Sequence, residues 1–324
     1  MNRRTLIKGV AAIGLAALAC DLAAAQTYPT KPIRILVPAP AGSPPDILAR
    51  IIGNALGESE GWTVVVENKP GGAMTIGTNE ALRQPADGYT VLSVTSPITA
   101  AAALVPSANF DIENDFKPVI KVGVTYNVLV VNPKMPVRTL PEFVVYLKKD
   151  PGKYTFSSGG FGTPAHLLGE LFKLKTGVQT VHVPYKGNSQ TIPDLMSGIN
   201  TYQFISAVAV VQLIESGKLR ALVAMSKNRV PALPDVPTIV EVGYPNLAGE
   251  DWAGFLVKTG TPAPIMAQLN AAINKVLKTE KVQQAFARVG TDLAGGTPEE
   301  FGKLIRAEVA HWTKVIKDAD IKIN

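Results

Sequence analysis

The stretch Thr155-Phe-Ser-Ser-Gly-Gly-Phe-Gly-Thr-Pro-Ala-His166 leaves few options for the chain around it. It has the form of a strand end, a loop of small residues and a helix start. Thr163 stands where a helix cap is preferred, and Pro164 where a first helical residue tolerates proline. Between Ser157 and Gly162 only Phe161 carries a large side chain. The backbone N–H groups of Ser157, Ser158, Gly160 and Gly162 are therefore open to close approach, with the partial positive charge of a helix N-terminus behind them. The stretch Ile35-Leu-Val-Pro-Ala-Pro-Ala-Gly-Ser-Pro-Pro-Asp46 repeats the construction, with Ser43 as candidate cap, Pro44 as first helical residue and Asp46 as capping-box acid. Two such helix starts in two halves of one chain predict a ligand held between two lobes.

The order of elements agrees. Residues 33–37, 62–66 and 89–94 have the apolar, β-branched character of buried strands, and residues 47–56 and 75–83 between them have helical spacing, the first stopping near Gly57. The second half runs in the same order: a strand at 153–156, a helix from Pro164 to Lys175 ending at Gly177, a strand at 180–183, a helix at 190–196 and a strand at 201–205. Thr63-Val-Val-Val-Glu-Asn-Lys69 even echoes Thr180-Val-His-Val-Pro-Tyr-Lys186, a weak internal repeat. Alternating strands and helices with short links predict an α/β fold with largely parallel sheets. The valine-rich residues 119–131 are placed to carry the chain across, and residues 252–257 to bring it back. The expected division is therefore residues 26–127 with 250–324 in one lobe and 128–249 in the other. Amphipathic helices are expected at 265–277, 281–289 and 298–318. Two crossings imply a hinge.

Residues 1–25 have the form of a signal peptide. Arg3, Arg4 and Lys8 precede a short apolar run from Val10 to Ala19, and Ala23-Ala-Ala25 offers a cleavage site before Gln26. Arg3-Arg-Thr-Leu-Ile-Lys8 suits a twin-arginine signal, an ordinary secretory leader being the alternative. Ala17-Leu-Ala-Cys20 is a poor lipoprotein box. Cleavage after Ala25 leaves a mature chain without cysteine, hence without disulfide or thiol chemistry. It also lowers the formal charge from +6 to +4, because Arg3, Arg4, Lys8 and Asp21 are lost with it. The remaining charge is spread along the chain with no basic run interleaved with aromatics, which argues against a nucleic-acid partner. No later stretch has the length and apolarity of a membrane span.

Catalytic and metal signatures are weak. His166, His182 and His311 lack metal-ligand spacing, so no metal and no cofactor is expected. Ser157 or Ser158 near His166 suggests a hydrolase, but the chain lacks a Gly-x-Ser-x-Gly elbow there. Ser158-Gly-Gly-Phe-Gly162 lacks the Gly-Lys-Ser/Thr of a phosphate loop and the spacing of a dinucleotide fingerprint. Asp46 has two compatible readings: a carboxylate facing the cleft, to receive an ammonium or order a water, or a helix-cap acid. Tyr185 and Lys186 either line the cleft or finish a strand. Trp252 either packs at the hinge or stacks on ligand.

Tyr28-Pro-Thr-Lys-Pro-Ile-Arg34, Asn68-Lys-Pro-Gly-Gly72, Pro85-Ala-Asp-Gly-Tyr89, Gly160-Phe-Gly-Thr163 with His166, Val183-Pro-Tyr-Lys-Gly187 and Leu233-Pro-Asp-Val-Pro-Thr238 with Glu241 together resemble the Bug family, the periplasmic solute-binding receptors of tripartite tricarboxylate transporters. The resemblance runs over essentially the whole mature chain. It implies a periplasmic-binding-protein type II fold, two doubly wound lobes that close on a small carboxylate, delivered to the membrane subunits of a transporter. It also implies a periplasmic, monomeric, non-enzymatic protein. A binding-only sensor and, less favoured, a hydrolase on the same cleft are the alternatives. The candidate ligand-binding residues are Ala41, Gly42, Ser43, Asp46, Ser96, Ser157, Ser158, Gly160, Gly162, Thr163, His166 and Tyr185. The chain departs from the family pattern at Ala39 and Ser43, where an aromatic and a glycine are usual, and at Thr201 and Ile205, where acidic residues are common. Those departures bear on which carboxylate is bound.

Overall fold

The computed structural model describes residues 28–324 except 106, 107, 186, 319, 320 and 322–324. The expected leader, Cys20 and Lys186 lie outside the described residues.

β1 (Ile33–Val37) buries all but Arg34, as befits a strand covered on both faces. α1 (Pro44–Glu60) follows, with Leu48, Ala49, Ile52, Ala55 and Leu56 on its buried face. It runs through Gly57 rather than stopping there. Gly61 is the residue that turns left-handed, at φ 68°, and its N–H closes on Gly57 O. β2 (Val64–Asn68), α2 (Thr75–Leu82), β3 (Thr90–Thr95) and the short α3 (Ile98–Leu104) complete the first run. β4 (Phe116–Thr125) and β5 (Asn127–Val131) lie in different sheets, so the chain crosses at Tyr126.

The second run comprises α4 (Leu140–Lys148), β6 (Thr155–Ser158), α5 (Pro164–Thr176), β7 (Val181–Pro184), α6 (Asn188–Ser197), β8 (Tyr202–Ser206), α7 (Ala207–Glu215) and β9 (Arg220–Ala224). α4 falls where the sequence gives no expectation of a helix, whereas α7 and β9 agree with Gly217–Ala224 read as a helix end and strand. A signal for α4 was present: Thr139 and Glu142 form a full capping box. The chain returns in β10 (Asp251–Lys258) and ends with α8 (Ala263–Leu277), α9 (Glu280–Arg288), the two-residue β11 (Asp292–Leu293) and α10 (Pro298–Asp318).

The strand orders are β11-β4-β10-β3-β1-β2 and β7-β6-β8-β5-β9. β2-β1-β3 and β7-β6-β8 are parallel trios of the same topology, and the echoed sequences fall on β2 and β7, the same position in each. The sheets are mixed rather than largely parallel. β10 and β5 run antiparallel to both neighbours. Each of these strands enters its sheet from the other lobe. The crossings lie at the carboxyl ends of the parallel strands, so an entering strand starts there and must run the opposite way.

Apolar clusters cover both faces of each sheet. In the first lobe one gathers Ile35, Ile52, Phe255 and Phe286, the other Leu92, Phe116, Trp252 and Phe301. In the second lobe one gathers Phe143, Phe156, Phe172 and Tyr202, the other Val128, Ile205 and Val210. Two helices straddle the lobes. Ala100 and Leu104 of α3, with Val315 and Ile316 of α10, pack into the second lobe's aromatic cluster. The end of α10 therefore rests on the lobe opposite to the one expected for residues 250–324. Among the described residues no helix is long and apolar enough to cross a membrane.

Candidate ligand-binding cleft

The carboxyl ends of the parallel strands in both sheets face one another across a cavity of ≈ 400 Å³. Pro38, Ala39, Pro40, Pro44 and Pro45 after β1, with Gly71, Ala73 and Met74 before α2, form its first wall. Gly159, Phe161, Gly162, Thr163, Pro164 and Ala165 after β6, with Phe204, Ile205 and Ser206 of β8, form the second. Asn127 and Asp251, from the two crossings, lie between them. Strand-end clefts of this kind are where open α/β sheets bind ligands. Ala73 and Met74 hold positive φ angles of 49° and 74° without being glycine, local strain of the kind found at ligand clamps.

The two helix starts share one geometry, residue for residue. Ser43 Oγ donates to Pro40 O at 2.6 Å, and Thr163 Oγ1 donates to Gly160 O at 2.7 Å. Neither side chain caps its helix, contrary to the expectation for both. Each hydroxyl instead closes the loop three residues back, and in α1 the prolines at 44 and 45 offer no N–H to accept. In each start the glycine N–H before the cap residue is taken by the side chain four residues on. Gly42 N donates to Asp46 Oδ2 at 2.8 Å, and Gly162 N donates to His166 Nδ1 at 3.1 Å. Gly42 and Gly162 both need left-handed backbone for this, at φ 78° and 73°.

Only the chemistry of the closing residue differs. Asp46 is 2 % exposed and also holds Arg50 Nε and Asn68 Nδ2, at 3.1 and 2.9 Å. Burial pushes its carboxyl up, but the hydrogen bonds from Arg50, Gly42 N–H and Asn68 reverse this and hold it below the ordinary aspartate value. Of its two readings, the structure shows the helix-start acid, turned away from the cavity. A negative charge thus already occupies the N-terminus of α1. His166, by contrast, is buried and stacked on His182 with ring centroids 4.3 Å apart. Burial pushes His166 down to about 4 and His182 to about 3, with Lys173 acting on both in the same direction. α5 carries no acid in its first turn. Its N-terminus is therefore closed by a neutral ring and keeps its attraction for an anion.

The remaining candidates divide. Ser158 is 0 % exposed, and its Oγ contacts His182 Nε2 at 2.7 Å rather than His166. A sealed serine beside a neutral, stacked histidine is a structural contact. Ser157 points into the second lobe's interior, fully buried, its Oγ without a hydrogen-bond partner, and lines no cavity described here. Tyr185 donates its hydroxyl to Asp194 Oδ2 at 2.6 Å, inside its own lobe, and Ala41 is exposed outside the cavity. Gly160 holds φ 130° and shapes the loop. Gly42 borders a neighbouring hollow of ≈ 340 Å³, and Ser96 one of ≈ 280 Å³ at the hinge. Gly162 and Thr163 line the main cavity. Trp252 is buried edge-on to Phe301 and donates its indole N–H to Glu308, which is the packing reading. Among the described residues no group of acids, histidines and cysteines could hold a metal.

Asp251, Asn127, Met74 and Phe204 are among the cleft residues that the sequence reading missed. For Asp251 a signal existed: an acid leading straight into the apolar run Trp252-Ala-Gly-Phe-Leu-Val257 at the return crossing.

Residues 48–321 match the tripartite tricarboxylate transporter family receptor, TctC. The chain belongs to that family. This TctC-family receptor is 36% identical to "Protein BugT" of Bordetella pertussis over 328 residues, which covers 100% of both chains. Its fold is similar to that of the periplasmic binding protein BugD, with a TM-score of 0.79 and 30% identity over 91% of this chain and 99% of that one. It is equally similar to R. palustris Rpa4515 with adipate, with a TM-score of 0.81 and 31% identity over 91% of this chain and 99% of that one. The TctC-family assignment and these likenesses bear out the expected Bug-type binding-protein fold and a solute-binding role.

Proposed function

We propose that the chain is an extracytoplasmic receptor that captures a small carboxylate in the cleft and delivers it to the membrane subunits of a tripartite tricarboxylate transporter. In this reading residues 1–25 direct export to the periplasm and are removed. Residues 26–127 with 250–324 form one lobe and 128–249 the other, and the receptor works as a monomer without catalysis. The observation that carries the reading is the start of α5: an uncapped helix N-terminus, closed by neutral His166, opening into a cavity with walls of glycine, proline, Phe161, Phe204 and Met74. Backbone N–H groups there suit a carboxylate, and the apolar walls suit its carbon body. The adipate of the related Rpa4515 structure is a ligand of this chemical kind.

Helix dipole attraction is worth about 0.3–1 kcal/mol, up to ~2 when partly buried. Micromolar affinity needs roughly 8 kcal/mol. Hydrogen bonds to the charged oxygens, at about 1.5–3 kcal/mol each, and burial of the ligand's carbon chain must therefore carry most of the binding. Native mass spectrometry of the exported protein, purified without refolding, tests the assignment by identifying any carried carboxylate. Small-angle scattering with that compound should show compaction as the lobes close. No compaction at saturation, from a demonstrably open start, would refute closure on the ligand.

A further inference from the structure

Among the described residues, the cavity between the lobes is lined by one ionisable side chain, and it is an acid, Asp251. The same residue borders the hinge hollow that contains Ser96 and Glu308, and the hollow beside Gly42. It therefore stands where the three spaces meet, half-buried at the start of β10. Ser96 Oγ donates to its Oδ1 at 2.6 Å, and Asn127 supplies a second side-chain hydrogen bond. Both donors are neutral. Among the described residues no lysine or arginine pairs with Asp251, and none lines any of the three hollows. Glu250 and Glu308 flank the hinge hollow with Asp251 and add no positive charge, and Lys121 is engaged with Glu250 at 3.7 Å. His311 on the same hollow is held below the ordinary histidine value by burial and by Lys175.

The cleft is thus polar along its length. Backbone N–H groups and the N-terminus of α5 make one side attractive to an anion. The hinge end carries a carboxylate with no cation among the described residues to balance it. A dicarboxylate would bring its second charge towards that carboxylate. An ammonium group would compensate it, and would restore the ionised form that burial otherwise opposes.

We propose that Asp251 is the specificity-determining residue of the cleft and that the ligand is a zwitterion, a monocarboxylate whose carboxylate meets the N-terminus of α5 and whose ammonium group meets Asp251. This rests on the carboxylate-receptor reading above and narrows it. Ser96, just after β3 of the first sheet, and Asn127, the first residue of β5 in the second, hold the acceptor in place, so the ammonium also ties the ligand to both crossings of the hinge. The apolar walls between the two ends select a carbon chain without further charge.

The test is calorimetry at neutral pH on the mature receptor, with ε-aminocaproate against adipate and hexanoate, and γ-aminobutyrate against succinate and butyrate. The better amino acid should bind at least about tenfold more tightly than its dicarboxylate and its plain acid. Asp251→Asn keeps the hydrogen-bonding shape and should remove that preference, the better amino acid losing at least about tenfold in affinity. A thermal melt confirms that the variant is folded, and Asp251→Ser serves as a second neutral variant. Equal or tighter binding of the dicarboxylate by the wild-type protein overturns the inference and leaves the receptor reading standing. So does a preference that survives both substitutions. If none of the six acids binds, the carboxylate-receptor reading itself falls, and the inference with it.

Discussion

His166 Nδ1 accepts the backbone N–H of Gly162 at 3.1 Å, reproducing in one lobe the closure that Asp46 makes with Gly42 in the other. The two closures are interchangeable in shape and opposite in electrostatic effect. A carboxylate at the first turn of α1 satisfies the helix end internally. A neutral imidazole at the first turn of α5 satisfies one N–H and leaves the helix end positive. An anion entering the cleft therefore meets two walls of like construction but is attracted to one of them.

That asymmetry is open to test at residue 166. His166→Asn keeps a neutral acceptor for Gly162 N–H and should retain carboxylate binding within about threefold. His166→Asp makes the second lobe a copy of the first and should weaken binding at least about tenfold. Calorimetry with the carried ligand measures both, and equal affinities would move the anion site away from α5.

Gly162 holds a left-handed backbone at φ 73°, which a β-branched residue adopts only at a cost of about 1–2 kcal/mol. Gly162→Val should relieve that strain by flattening the loop, which breaks the closure to His166 and removes the anion cradle. Binding should fall more than tenfold, roughly 1.4 kcal/mol or more, while the melting temperature changes by only a few degrees, about 2–4 °C per kcal/mol for a chain of this size. A variant that binds normally would show that the loop backbone does not hold the ligand.

The stacked histidines set a pH limit on the second lobe. Burial lowers His166 to about 4 and His182 to about 3, both below their ordinary value of 6.5. A histidine lowered in the folded state contributes stability that is full above the unfolded value and is lost as pH falls towards the folded one. Stability should therefore decline from pH 6.5 towards about 4. Long-range ¹H–¹⁵N spectra of the two rings at about pH 5.5 should show neutral imidazoles, with Nδ1 of His166 unprotonated. A charged ring at that pH would break the stack and contradict the closure.

Glu308 behaves in the opposite sense. It accepts the Trp252 indole N–H at 2.9 Å, and burial pushes its carboxyl up to about 7, with the charge of Asp251 adding to the rise. Raised in the folded state, it lowers stability as pH climbs from its ordinary 4.5 towards 7, and the full penalty holds above that. Glu308→Gln keeps an acceptor for Trp252 and removes the charge. Calorimetric melts should show stabilisation at about pH 8, at most about 3 kcal/mol, that narrows towards zero near pH 5. A constant difference across that range would mean that the effect is packing, not ionisation.

What the sequence determined by itself is local. Strand and helix order, the glycines that turn left-handed at Gly42 and Gly162, and the prolines that open α1 and α5 all follow from steric rules acting within a few residues. The two-lobe plan follows from the repetition of that order, and the echo of Thr63–Lys69 in Thr180–Lys186 marks equivalent strands. Tertiary structure decided which of the loop groups remain available. Whether Ser158 meets His166 or His182 depends on β6 and β7 being laid side by side. The same holds for Asp251. Its role depends on Ser96 and Asn127, which the two crossings bring together from residues 155 and 124 positions away. Its raised affinity for a proton comes from burial at the meeting of the two lobes, which no local spacing encodes.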